Sequence, residues 1–163
     1  MILTIIHAYS QVIQSACDIC RPSRGLHLDY LHQPPAPAAV IVLKDNGGIV
    51  SKYTAQTARY KAESREVQLL ECRSACTLAL SLPKVCVYPW SVLKFHAATN
   101  RYTGGIDPIV TGVLMDAYPA KVRHYLGTLT PDFRVLTGAE LIGLGIRDCR
   151  TPLPQHQRTA QKR

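Results

Sequence analysis

The chain first becomes continuously apolar at AAVIVL, Ala38 to Leu43. A short unbroken run of that kind is what a strand buried on both faces shows. KDNGG follows, Lys44 to Gly48, and reads as a glycine turn closing the strand. Tyr53, Thr57 and Tyr60 then recur at helical spacing and predict an amphipathic helix. EVQLL, Glu66 to Leu70, predicts a second short strand that runs out at Ser74. ACTLALSL reads as a buried helix stopped near Pro83, and VCVY and SVLKFH as two further strands parted by Pro89. Ile109, Val110, Val113, Leu114, Ala117 and Tyr118 share one helical face. Pro119 breaks that helix and suits the first position of the next. TGAE, Thr137 to Glu140, fits a capping box ahead of LIGLG. Strands alternating with helices predict an α/β layer fold with a largely parallel sheet. No internal repeat is visible.

Composition agrees with a folded globule: of the 163 residues, 47% are apolar and only 18% charged. That length predicts one domain with loose ends: an irregular arm over 1–37, the α/β domain over 38–149, and a disordered basic tail over 150–163. The formal charge of +8 would suggest a nucleic-acid partner were it not for its distribution. Arg150, Arg158, Lys162 and Arg163 carry half of it in a tail without acidic residues. No Lys/Arg run interleaved with aromatics stands in the body, so no nucleic-acid partner is expected. No segment approaches the length of a membrane span. The opening MILTIIHAYSQVIQSAC is apolar at first but has no basic leading region and is broken by His7, Ser10 and Gln11, which makes a poor export signal.

Six cysteines, Cys17, Cys20, Cys72, Cys76, Cys86 and Cys149, suit either disulfides in an oxidising compartment or buried thiols in the cytosol. Cys17 and Cys20 form a CxxC within CDICRPSRG, where only His27 and His32 stand near enough to complete a zinc site, and no strand precedes it as a redox motif would require. Neither a metal nor a cofactor is expected. Cys72 and Cys76 read as small core residues, or as halves of cross-links to Cys86 or Cys149.

Ligands of open α/β sheets gather at the carboxyl ends of the strands. Gly47–Gly48, Ser74 and His96 each fall at such an end. A hydroxyl nucleophile needs a base within reach and backbone N–H groups aimed at the developing oxyanion. Two readings of Ser74 stand open: a helix N-cap, or a nucleophile raised by a strand-to-helix turn. His96 reads either as a satisfied buried histidine or as the base. Cys76 is an alternative nucleophile only in an electropositive, partly exposed setting.

The ordered series VIVLKDNGG, VQLLECRSACTLALSL and VCVYPWSVLKFHAA resembles the proteolytic subunit of the Clp protease. It is more similar still to small exported bacterial proteins of ClpP/crotonase-like fold that carry a CxSACT serine followed by an FHAA histidine. The similarity runs from about Ala39 to Cys149 and includes LMDAYPAKVRHYLG and VLTGAELIGLGIRDC. The resemblance implies a ClpP/crotonase-like spiral and serine-peptidase acyl transfer on a peptide or small acyl substrate. In it Ser74 is the nucleophile, His96 the general base, and the N–H groups of Gly48 and Ala75 the oxyanion hole. It also implies a homo-oligomer and a periplasmic or exported location.

Three positions depart from that pattern. Leu70 and Lys94 stand where glycines are expected, and a bulkier residue at either narrows the substrate cleft. The triad aspartate should fall near Leu129, where there is no acid; Asp132, three residues along, is the substitute. Asp107, Asp116, Glu140 and Asp148 are the other acids after His96. A histidine without an orienting acid loses tautomer control, which costs about ten-thousandfold in well-studied triads. Three outcomes follow: Asp132 serves, a Ser–His dyad works slowly, or the site is degenerate. The last makes the chain a non-catalytic assembly or binding module. Crotonase-like acyl-CoA chemistry through the same paired N–H groups is the remaining alternative.

Overall fold

A computed structural model describes residues 37–153. The arm over 1–36, with Cys17 and Cys20, and the tail from 154 onward lie outside the described residues. The chain is α/β, with a mainly parallel sheet flanked by helices. Strand β1 is Val40–Asp45, helix α1 Val50–Ala62 and strand β2 Val67–Arg73. A 3-10 helix, Ser74–Ser81, leads into the long strand β3, Val85–Phe95. Helices α2, Pro108–Ala117, and α3, Ala120–Leu126, are followed by β4, Arg134–Thr137, α4, Gly138–Gly143, and the short β5, Arg147–Asp148. The sheet runs β1-β2-β3-β4, and β3 shares its second edge between two partners. Its first half pairs in parallel with β5 and its second half antiparallel with β4. No helix among the described residues is long and apolar enough to cross a membrane.

Strand β1, expected to be buried on both faces, is an edge strand that leaves Ile41 and Leu43 exposed. Two further sequence expectations change in detail. The predicted strands VCVY and SVLKFH are one strand, and what Pro89 marks is a bulge within it. Leu69 pairs with Val87, but Glu71 pairs with Val92, so Tyr88 to Ser91 loop out opposite the single residue Leu70. Ser91, buried, stitches the bulge: its hydroxyl donates to the Leu69 carbonyl at 2.6 Å and accepts from the Tyr88 N–H at 2.9 Å. Opposite the looped segment, a Cβ on Gly138 would lie 1.7 Å from the Tyr88 carbonyl oxygen, so only glycine lets α4 dock there. The second change is that ACTLALSL forms a 3-10 helix rather than an α-helix, although it is buried as expected along Ala75 to Leu78 and at Leu80.

The helix boundaries follow their local chemistry. The Asp107 side chain caps the Val110 N–H ahead of Pro108 at the start of α2. Pro119 stands at the N-cap of α3, one place before its expected position. Thr137 and Glu140 form the reciprocal capping box of α4. The core gathers Val67, Leu69, Val87, Leu93, Phe95, Leu114, Val122, Leu126, Leu136 and Leu141, all at most 2% exposed. Along β2 the face that buries Val67 and Leu69 comes out to solvent at Glu71 and is half-covered at Arg73. Side chains two apart share a face. The sheet therefore lacks cover on that face at the carboxyl ends of its parallel strands.

The cysteines pair as neighbours in space, Cys72 with Cys76 and Cys86 with Cys149, rather than across the two sets. The second bond anchors the chain just after β5 to β3, and the Cys149 N–H donates to Val87 O at 2.9 Å. A cross-link closing a loop of that length removes entropy from the unfolded chain worth about 4 kcal/mol. Replacing Cys86 and Cys149 by alanine should lower the urea midpoint, with a steeper slope because the unfolded chain freed of the cross-link exposes more surface. An unaltered midpoint would show that this bond does not hold the fold.

Candidate functional site

The junction between β2 and the 3-10 helix distinguishes the two readings of Ser74. The cap position is Arg73, in extended backbone and with no side-chain capping bond, so Ser74 is not the N-cap. Ser74 itself has φ +56°, in the left-handed region, which costs a residue with a Cβ about 1–2 kcal/mol. Ser64 also has a positive φ, but it follows α1, where helices commonly terminate that way. A left-handed serine that ends a parallel strand and opens a helix is the geometry by which a strained turn lifts a side chain off the sheet.

What holds it is a close approach of the preceding turn. Gly47 has φ +74°, and a Cβ there would lie 2.3 Å from Arg73 O, 2.8 Å from Ser74 Cβ and 3.0 Å from Ala75 N. The Asp45 carboxylate fastens this turn by accepting from the Gly47 N–H at 2.7 Å and the Tyr53 hydroxyl at 2.6 Å. Burial, then the bond and charge of Asp45, push the Tyr53 phenol up to about 12. From the other side Thr77 Oγ1 donates to Ser74 O at 2.6 Å. That uses the only proton of the threonine, so the buried Tyr118 hydroxyl, 2.6 Å away, is the donor in their shared bond. The Cys72–Cys76 disulfide spans Ser74, and as a half-cystine Cys76 is no nucleophile.

His96 lies at the end of the adjacent strand. Arg73 pairs with Lys94, so His96 stands two residues past the pairing row that immediately precedes Ser74. The bulge sets this. Continuing the earlier register would have brought Ser91 beside Arg73. The His96 ring meets Phe133 edge-on, centroids 4.8 Å apart, and the Arg73 guanidinium lies over the same ring at 5.4 Å. Phe133 therefore bridges the ends of β2 and β3, a role that nothing in its sequence context signals. The Ala97 N–H donates to Thr130 O at 2.7 Å, which ties the segment carrying Asp132 and Phe133 to the residue after His96.

Asp132 is exposed. Among the described residues no hydrogen bond or ion pair links Ser74, His96 and Asp132. The other acids after His96 are in use: Asp107 caps α2, Asp116 pairs with Arg123, Glu140 closes the capping box and Asp148 holds Arg150. Arg150 draws the Asp148 carboxyl below its ordinary value, chiefly by hydrogen bonding. Of the two expected oxyanion donors, Gly48 is exposed and its N–H has no acceptor among the described residues. Ala75, second in its helix, has an N–H without an intrahelical partner, yet the residue is fully buried against the Gly47 turn. Among the described residues no group of three or more His, Cys, Asp or Glu gathers as a metal site.

No family model, curated protein or solved structure matches this chain. The site is therefore defined by its own geometry. Gly47→Ala should cost about 2 kcal/mol or more, because a methyl at that position meets backbone atoms and the φ disfavours it. Gly48→Ala should cost far less, since its nearest neighbour would be the Tyr53 ring at 3.6 Å. Urea unfolding of both variants measures the contrast, and equal losses would refute the role given to Gly47.

Proposed function

We propose that the chain is a serine hydrolase of ClpP/crotonase-like fold, acting on a peptide or small acyl substrate. The observation that carries this reading is Ser74 in left-handed backbone at the end of a parallel strand, with His96 at the end of the next. Ser74 Oγ attacks the carbonyl while His96 accepts its proton and later returns it to the leaving group. The N–H groups of Gly48 and Ala75 take the oxyanion once substrate has displaced the Gly47–Gly48 turn. Asp132 orients His96 from the segment fastened to Ala97. As the one acid after His96 without a structural partner among the described residues, it alone is free for that task. The resemblance in the ordered motifs supports the same assignment. Two disulfides suit an exported protein in an oxidising compartment. Ile109 and Val113, exposed one turn apart on α2, suit a contact between copies in a homo-oligomer.

A second reading, a binding or assembly module that keeps the fold without the chemistry, is favoured by the covered Ala75 and the unlinked Ser74, His96 and Asp132. The two part on one experiment. A fluorophosphonate probe should label the wild-type protein, Ser74→Ala should abolish labelling, and His96→Ala should slow it by about a hundredfold or more. Asp132→Asn should slow it less than His96→Ala. Labelling that persists in Ser74→Ala removes Ser74 as nucleophile; no labelling of the wild type favours the module.

A further inference from the structure

Beside Ser74, at the uncovered carboxyl ends of β1, β2 and β3, the sheet carries a concavity of about 340 Å³. Its lining includes Lys44, Asn46, Glu71, Arg73, Val92 and Lys94. The pairing register explains why these meet: Lys44, Glu71 and Val92 form one row across the strands, and Arg73 and Lys94 the next. Alternation places both rows on one face.

The charges there do not cancel. Lys44 pairs with Glu71 at 3.6 Å. Asp45, also in the lining, has its Oδ1 occupied by Tyr53 and Gly47. Arg73 and Lys94 are left as neighbours on adjacent strands without an ion pair among the described residues. Among the described residues Arg73 donates only its Nε–H, to Asn46 O at 3.4 Å, while its Cζ lies over the Phe133 ring, 5.4 Å from the centroid. That contact orients the guanidinium and leaves its terminal N–H donors unused. Two side-by-side cations with free donors, one held by an aromatic ring, make a receptor for a carboxylate.

We propose that this concavity selects substrates carrying a carboxylate on the acyl side of the scissile bond, with Arg73 and Lys94 as the specificity-determining residues. The inference rests on the hydrolase reading for its position relative to Ser74, but the binding of the anion does not depend on turnover. It also gives a use to Lys94, the residue that narrows the cleft relative to the glycine expected there.

The test compares mono-4-nitrophenyl adipate with 4-nitrophenyl hexanoate, esters of equal acyl length that differ in the terminal carboxylate, with uncatalysed hydrolysis subtracted. The wild type should favour the adipate in kcat/KM by about tenfold or more, the size of one charge-assisted hydrogen bond. That ratio should collapse toward unity in Lys94→Gln, whose side chain is exposed and leaves the core intact, and in Arg73→Gln. It should also shrink at high salt. Equal rates in the wild type, or a preference that survives in both variants, would overturn the proposal. If neither ester is turned over, the hydrolase reading fails and titration of the Ser74→Ala protein decides the anion site. Binding of monomethyl adipate but not methyl hexanoate, weakened by adding Lys94→Gln, retains it; no binding overturns it.

Discussion

The site depends on a backbone-to-backbone contact, the Gly47 turn lying against residues 73–75. Left-handed backbone is unfavourable for serine, and only surrounding structure that over-determines it keeps it so. Here that structure is close-set. A glycine with no Cβ presses on Arg73 O and Ala75 N from one side, Thr77 bonds to the Ser74 carbonyl from the other, and a disulfide spans the turn. Asp45 is central in a quiet way, since its carboxylate shapes the Gly47 turn and ties it to α1 through Tyr53. The same contact that orients Ser74 also covers Ala75. On the proposed hydrolase reading, the turn that holds Ser74 therefore also limits access to the Ala75 N–H, and substrate binding must displace it.

A second constraint decides which residues share the rim with Ser74. The bulge in β3 advances that strand by three positions against β2, so Lys94 and His96 arrive where Ser91 and Leu93 would otherwise stand. One buried hydroxyl, that of Ser91, closes the bulge by bonding to both strands. The glycine at 138 lets α4 sit directly on the looped segment. The placing of His96 relative to Ser74 and the cationic concavity are thus both consequences of one irregularity in pairing, whose looped residues end at Ser91, next to Val92 in the concavity's lining.

Much of this architecture is legible in the residues. Apolar runs mark the parallel strands, although β1 lies at the sheet edge with Ile41 and Leu43 exposed, because an apolar run does not say which strand ends the sheet. The TGAE box and Pro119 mark helix ends because capping and proline act locally. The bulge is not legible, since a proline between two apolar runs looks the same whether it parts two strands or bulges one. The nature of Ser74 is not legible either. Caps and elbows both place serine at a strand–helix junction, and only the backbone angle separates them. In the Gly47–Gly48 pair both residues look like turn glycines, and the one that must be glycine is set by a contact with a distant segment. Phe133, an exposed aromatic in sequence terms, joins Arg73 to His96 through tertiary structure alone. The cysteine pairing was open for the same reason: an even count allows several connectivities, and the fold chooses by proximity.

The proposed function is a spatial claim: with substrate bound, Ser74 Oγ, the His96 imidazole and the N–H groups of Gly48 and Ala75 would converge on one carbonyl-sized space. A crystal structure with a peptide or alkyl boronic acid tests it most directly, because the boronate mimics the tetrahedral intermediate. The account predicts a bond from boron to Ser74 Oγ and one boronate oxygen about 2.7–3.1 Å from both backbone nitrogens. It also predicts the Gly47–Gly48 turn displaced and His96 within hydrogen-bond reach of the adduct. Boron bound elsewhere, or bound to Ser74 with its oxygens turned away from both nitrogens and from His96, would contradict it.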